Sequence, residues 1–146
     1  MDLTKGFPRS VRTKVAGVVM LGRATDKAKA FAAGTNGEYN YDCPMDKAVF
    51  GFLGIDAAEY LEKVKSAKND AELEAYAREF TNKKSQAELD TWNNEFLNYA
   101  PAAGSDGEKY FLELRNSIDP SRTDITAWAD LLDLDEKREV PHRVAV

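Results

Sequence analysis

Between Gly34 and Asp46, flanked by segments that read as helices, lie Tyr39, Tyr41, the carboxylates of Glu38, Asp42 and Asp46, and the chain's only cysteine, Cys43. Cys43 precedes Pro44 and falls where a helix would begin, a place where the macrodipole favours a thiolate. A nucleophile or redox thiol is one chemistry open to it. A catalytic cysteine also needs a base, and the only histidine, His142, stands near the end of the chain. The plainer reading is a small side chain filling the helix entry.

A second group lies just upstream. Arg23, Asp26 and Lys27 fall within about one helical turn, so Arg23 and Lys27 share a face and could hold a carboxylate or phosphate while Asp26 orients one of them. Tyr39 and Tyr41 could line the same pocket if the loop folds back on this helix, with Asp42 beside them. The free amides after Pro44 would add a third anion-binding element. The competing reading is a surface cluster of Arg23, Asp26 and Lys27 with the tyrosines capping the core.

Other chemistries are thinner. Glu38, Asp42 and Asp46 follow at four-residue intervals, but no Asp-x-Asp-x-Asp-Gly loop or histidine cluster accompanies them, so no metal is expected. Asp42 or Tyr41 as proton carriers would need a burial and spacing that sequence does not display. Trp92 and Trp128 read either as partner anchors or, because both lie on inward stripes, as core. No phosphate loop, His-Glu-x-x-His, Cys-x-x-Cys or Gly-x-Ser-x-Gly element occurs, and no cofactor is expected.

The elements that position these groups follow from length and pattern. A chain of 146 residues suits one domain burying roughly 68–70% of its unfolded surface. Composition, 43% hydrophobic and 31% charged, is that of a soluble globular chain, and no apolar run reaches the roughly 20 residues of a membrane span. The start lacks a secretory pattern, and a single cysteine fits a reducing compartment, so a cytoplasmic setting is expected. The net charge of −5 argues against nucleic acid. That charge is uneven: residues 1–33 carry seven basic and two acidic groups, whereas residues 34–146 carry thirteen and twenty-three.

Residues 1–9 read as an arm broken by Gly6 and Pro8. Ser10 then precedes Val11, Val15, Val18 and Val19 at helical spacing, interrupted by Gly17 and kinked or broken at Gly22. A second stripe, Ala24, Ala28, Phe31 and Ala32, ends at Gly34. Asn36-Gly37 with alternating Tyr39 and Tyr41 leaves room for a small extended hairpin over residues 34–42. Helices are predicted from Pro44 to Gly54, after Asp56, after Asp70, after the capping boxes Ser85/Glu88 and Ser105/Glu108, and from Thr123 or Asp124 through Leu132. Asp119-Pro120 should end the sixth. Residues 138–146 read as an extended or frayed tail. About seven short helices with short connections predict an all-α array.

Several of these stretches together resemble a known family. They are Phe7-Pro-Arg-Ser10, Arg23-Ala-Thr-Asp-Lys27, Ala33-Gly-Thr-Asn-Gly-Glu-Tyr-Asn-Tyr-Asp-Cys-Pro-Met-Asp46, Phe52-Leu-Gly-Ile-Asp56, Trp92-Asn93 and Trp128-Ala-Asp-Leu-Leu-Asp133. The chain is similar, from arm to tail, to the small bacterial proteins catalogued as domain of unknown function 5069. That resemblance implies a single bacterial domain and supplies no mechanism. The residues themselves rank a binding module for a small anionic or polar ligand, or an acidic partner segment, first. A structural or assembly protein acting through a homodimer or partner docking is second, and a thiol enzyme using Cys43 is last; the chain itself is expected to be a monomer or homodimer.

Overall fold

In the computed structural model, which describes residues 1–143, seven helices and no strand occur among the described residues. They are α1 (Leu21–Ala32), α2 (Pro44–Leu53), α3 (Ala57–Ser66), α4 (Asp70–Thr81), α5 (Gln86–Leu97), α6 (Asp106–Ile118) and α7 (Trp128–Asp135). The chain is all-α, as its periodicity predicts. None of these helices is long and apolar enough to cross a membrane.

Local signals set most helix starts. Asp56 accepts from Glu59 N at 2.9 Å, Ser85 Oγ from Glu88 N at 3.1 Å, and Ser105 Oγ from Glu108 N at 3.1 Å. Each satisfies an amide that has no partner within its helix. Asn69, rather than Asp70, caps α4 by accepting from Glu72 N at 3.0 Å, and Asp70 becomes the first helical residue. Both residue types cap well, and an acid in the first turn still suits the macrodipole. Gly54 (φ 78) closes α2, and Asp119 before Pro120 is extended.

Three segments differ from their sequence-based reading. Residues 10–19 do not form a helix. Val15 and Val18 instead exchange both backbone hydrogen bonds at 3.0 Å around Ala16 (φ 54) and Gly17 (φ 81). Positive φ at both central residues is what a two-residue hairpin loop requires. Asn93 holds it, accepting from Val19 N at 3.0 Å and donating to Gly17 O at 2.9 Å. Gly22 therefore lies in the first turn of α1 rather than at a kink.

Residues 34–42 form turns, not a hairpin: Asn36 O accepts from Tyr39 N, and Asn36 Nδ2 donates back to Tyr39 O at 2.8 Å. Thr35 O accepts from Leu3 N at 2.8 Å, so this loop also pairs with the N-terminal arm. The last helix starts at Trp128, not at Thr123 or Asp124, because Arg122 grips Asp124 at 3.0 Å and donates to Val140 O at 2.8 Å, which keeps that stretch in a turn.

The chain clusters into two units, Met1–Asn93 and Asn94–Val146, the division falling within α5. In the first, rings touch in series: Phe31 to Tyr41 (6.1 Å), Tyr41 to Phe50 (6.0 Å), Phe50 to Tyr60 (5.2 Å), Tyr60 to Tyr76 (6.0 Å) and Tyr76 to Phe80 (5.3 Å). The second is built on Phe111, Ile125, Leu131 and Val140, with Trp128 edge-on to Phe111 at 5.0 Å. Residues 138–143 lie outside any helix and are held: Val140 is buried, and Arg143 donates to Asp130 at 2.6 Å and to Leu97 O at 3.0 Å. Residues 144–146 of the expected tail lie outside the described residues.

Candidate functional site

Helix α1 is unusual in what it buries. Every residue from Leu21 to Ala28 is buried, including Arg23, Thr25, Asp26 and Lys27. Amphipathic helices normally turn such groups to solvent, so each needs an internal partner. Thr25 Oγ1 accordingly meets the Tyr60 hydroxyl at 2.7 Å.

Lys27 and Asp26 face different partners. Lys27 Nζ donates to Asp46 Oδ2 at 2.8 Å and to Cys43 Sγ at 3.1 Å. Asp26 does not orient Arg23 or Lys27. It accepts from the backbone N (2.9 Å), Nε and Nη2 (both 3.1 Å) of Arg9, and so clamps the arm to α1. Gly22 makes room for that clamp, since a Cβ there would stand 3.3 Å from Arg9 Cζ and 3.1 Å from Val15 Cγ2. Arg23 Nη1 donates to Arg9 O at 3.3 Å, and its guanidinium lies 5.6 Å from the centre of the Tyr39 ring.

Cys43 is the N-cap of α2 with Pro44 at the first helical position, as the sequence predicts. Asp46, three residues on, turns its carboxylate back so that Oδ2 also accepts from Cys43 N at 3.2 Å. Asp46 is completely buried, and its Oδ1 has no partner. A buried acceptor left without a donor costs about 1–3 kcal/mol.

Of the six expected binding residues, the structure brings together Arg23 with Tyr39 and places Lys27 in a separate pair with Asp46. Tyr41 is directed elsewhere: its hydroxyl donates to Ala57 O at 2.7 Å and its ring joins the aromatic series. Burial, and then the charge of Asp46, push its phenol far above its ordinary range, so it stays protonated near neutrality. Asp42 (φ 63) pairs with Lys47 at 2.9 Å, apart from Asp46. Among the described residues no three His, Cys, Asp or Glu side chains converge as a metal site requires.

Arg9 is a site residue that sequence reasoning left out, and Asp46, weighed there only as a metal candidate, is the partner of Lys27. The spacing Cys43-x-x-Asp46 is that of a capping box and would have pointed to Asp46. Nothing local pointed to Arg9. Both tryptophans are half-buried: Trp92 stacks on Phe52 at 4.7 Å and 7°, and Trp128 packs on the second core.

Fold and site thus define a small all-α protein whose N-terminal arm and loop are tied to a polar-sided, buried helix. The chain belongs to the family described as domain of unknown function DUF5069, whose model matches residues 5–138. No curated protein matches it.

Proposed function

We propose that the protein is a binding module that holds a small anionic or polar ligand beside the Gly34–Asp46 loop, next to Lys27 in the middle of α1. The observation behind this reading is Asp46 Oδ1, a fully buried acceptor with no donor, on the same carboxylate that holds Lys27. A ligand with a hydroxyl or amine donor would satisfy it. Half-exposed Tyr39 and Cys43 give such a ligand an approach from the loop side. The single thiol leads us to place this activity in a reducing cytoplasm.

Native mass spectrometry of untagged protein, purified without added ligand, tests the reading. Extra mass that is retained by the folded chain and lost in Asp46→Asn supports it. A bare chain that small carboxylates and hydroxy acids also fail to stabilise against heat overturns it.

A second reading, assembly through a homodimer or a partner, draws on the second unit, where Tyr99 and Tyr110 are 61% and 59% exposed. A monomer mass that is independent of concentration, with no partner retained, counts against it.

A further inference from the structure

We propose that Cys43 and Lys27 form a peroxide-responsive cross-linking pair, in which Sγ and Nζ become joined by a sulfenamide bond. Three observations carry this, and none depends on a ligand. Nζ stands 3.1 Å from Sγ, inside the roughly 3–3.5 Å separation of atoms poised to react. Cys43 is half-exposed, so a small oxidant reaches it, whereas the Lys27 side chain is 5% exposed and sheltered from competing reagents. Asp46 supplies the proton acceptor: Oδ2 lies 2.8 Å from Nζ, and Oδ1 is without any partner.

The oxidant is hydrogen peroxide. Cys43 sulphur attacks one peroxide oxygen, the O–O bond breaks, and the products are a sulfenic acid and water. Lys27 then passes a proton to Asp46 Oδ2, and the freed nitrogen lone pair attacks the sulfenic sulphur. The S–N bond forms, the S–O bond breaks, and the departing hydroxide takes a second proton from nitrogen to leave as water. Sulphur loses two electrons, peroxide gains two, and nitrogen keeps its oxidation state. The proton left on Asp46 keeps the buried pair neutral once Lys27 has lost its charge. As the chain's only cysteine, Cys43 has no second thiol within the molecule to resolve the sulfenic acid, and Lys27 takes that place.

The test treats the intact folded protein with a few equivalents of hydrogen peroxide and maps unreduced tryptic peptides. The expected product weighs about 2 Da less than the starting chain, joins the Lys27 and Cys43 peptides, resists trypsin at Lys27 and reverts fully with dithiothreitol. Cys43→Ser should abolish it. Sulfinic Cys43 with Lys27 free, a disulfide between two chains, or an unmodified thiol would each overturn the proposal. The wild-type map decides the matter even where a substituted chain fails to fold.

Discussion

Lys27 and Asp46 form an ion pair at 2.8 Å in which the two side chains are 5% and 0% exposed, nineteen positions apart and on successive helices. Two charges removed from water rarely gain more from each other than they lose in hydration, yet each becomes costly when its partner is removed. Lys27→Met or Asp46→Asn alone should therefore destabilise the chain by about 3–5 kcal/mol. The double replacement Lys27→Met/Asp46→Leu should cost less than the sum of the two single changes. Urea denaturation of the three variants gives the coupling, and simple additivity would contradict it.

Arg9 and Gly22 should also couple. In an exposed helix, Gly→Ala gains about 1 kcal/mol, but here the new methyl meets Arg9 Cζ at 3.3 Å and Val15 Cγ2 at 3.1 Å. Gly22→Ala is expected to destabilise by about 1–2 kcal/mol. Part of that penalty should vanish in an Arg9→Ala background, the remainder coming from Val15. An equal penalty in both backgrounds would remove Arg9 from the explanation.

Ala16 sits at φ 54 in the Val15–Val18 turn, a conformation that costs an L-residue about 1–2 kcal/mol. Ala16→Gly should stabilise by about 0.5–1 kcal/mol, less than that cost because glycine loses more freedom on folding. Conversely, Asn93→Ala removes the two hydrogen bonds that hold this turn. It should lower the melting temperature by several degrees, on the order of 2 kcal/mol.

Acid should act through the second unit. The Arg122 hydrogen bond holds the Asp124 carboxyl at about 2, below its ordinary value. In the unfolded chain Asp124 binds protons at higher pH, so its contribution is fully present above about pH 4 and is lost as pH falls toward 2. Arg122→Ala should flatten this part of the stability profile, measured by denaturation at a series of pH values. An unchanged acid limb would show that other carboxylates dominate it.

Much of the helical framework was legible because its signals are local. The boxes at Ser85 and Ser105 and the Pro44 and Gly54 bounds of α2 each depend on residues within one turn. The valines of residues 11–19 misled because their spacing also suits a turn that is held by Asn93, 74 positions away. The loop over residues 34–42 paired with Leu3 for the same kind of reason. At the site, sequence proximity of Arg23, Asp26 and Lys27 suggested one open cluster. Burial of α1 from Leu21 to Ala28 separated them, because each buried charge had to find its own partner: Arg9 for Asp26 and Asp46 for Lys27.

The placement of the two tryptophans gives the molecule a pair of internal optical gauges. Trp92 is stacked on Phe52, whose ring centre also lies 4.4 Å from Lys84 Nζ, and Trp128 packs against Phe111 in the second core. Each unit thus carries one indole in a distinct electronic surrounding, and Trp92→Phe or Trp128→Phe leaves a single emitter in one of them. Because α5 belongs to both units, we expect the two fluorescence transitions to coincide, as a single cooperative melting event would make them. Two separated midpoints would instead time-stamp the loosening of one half of the chain before the other.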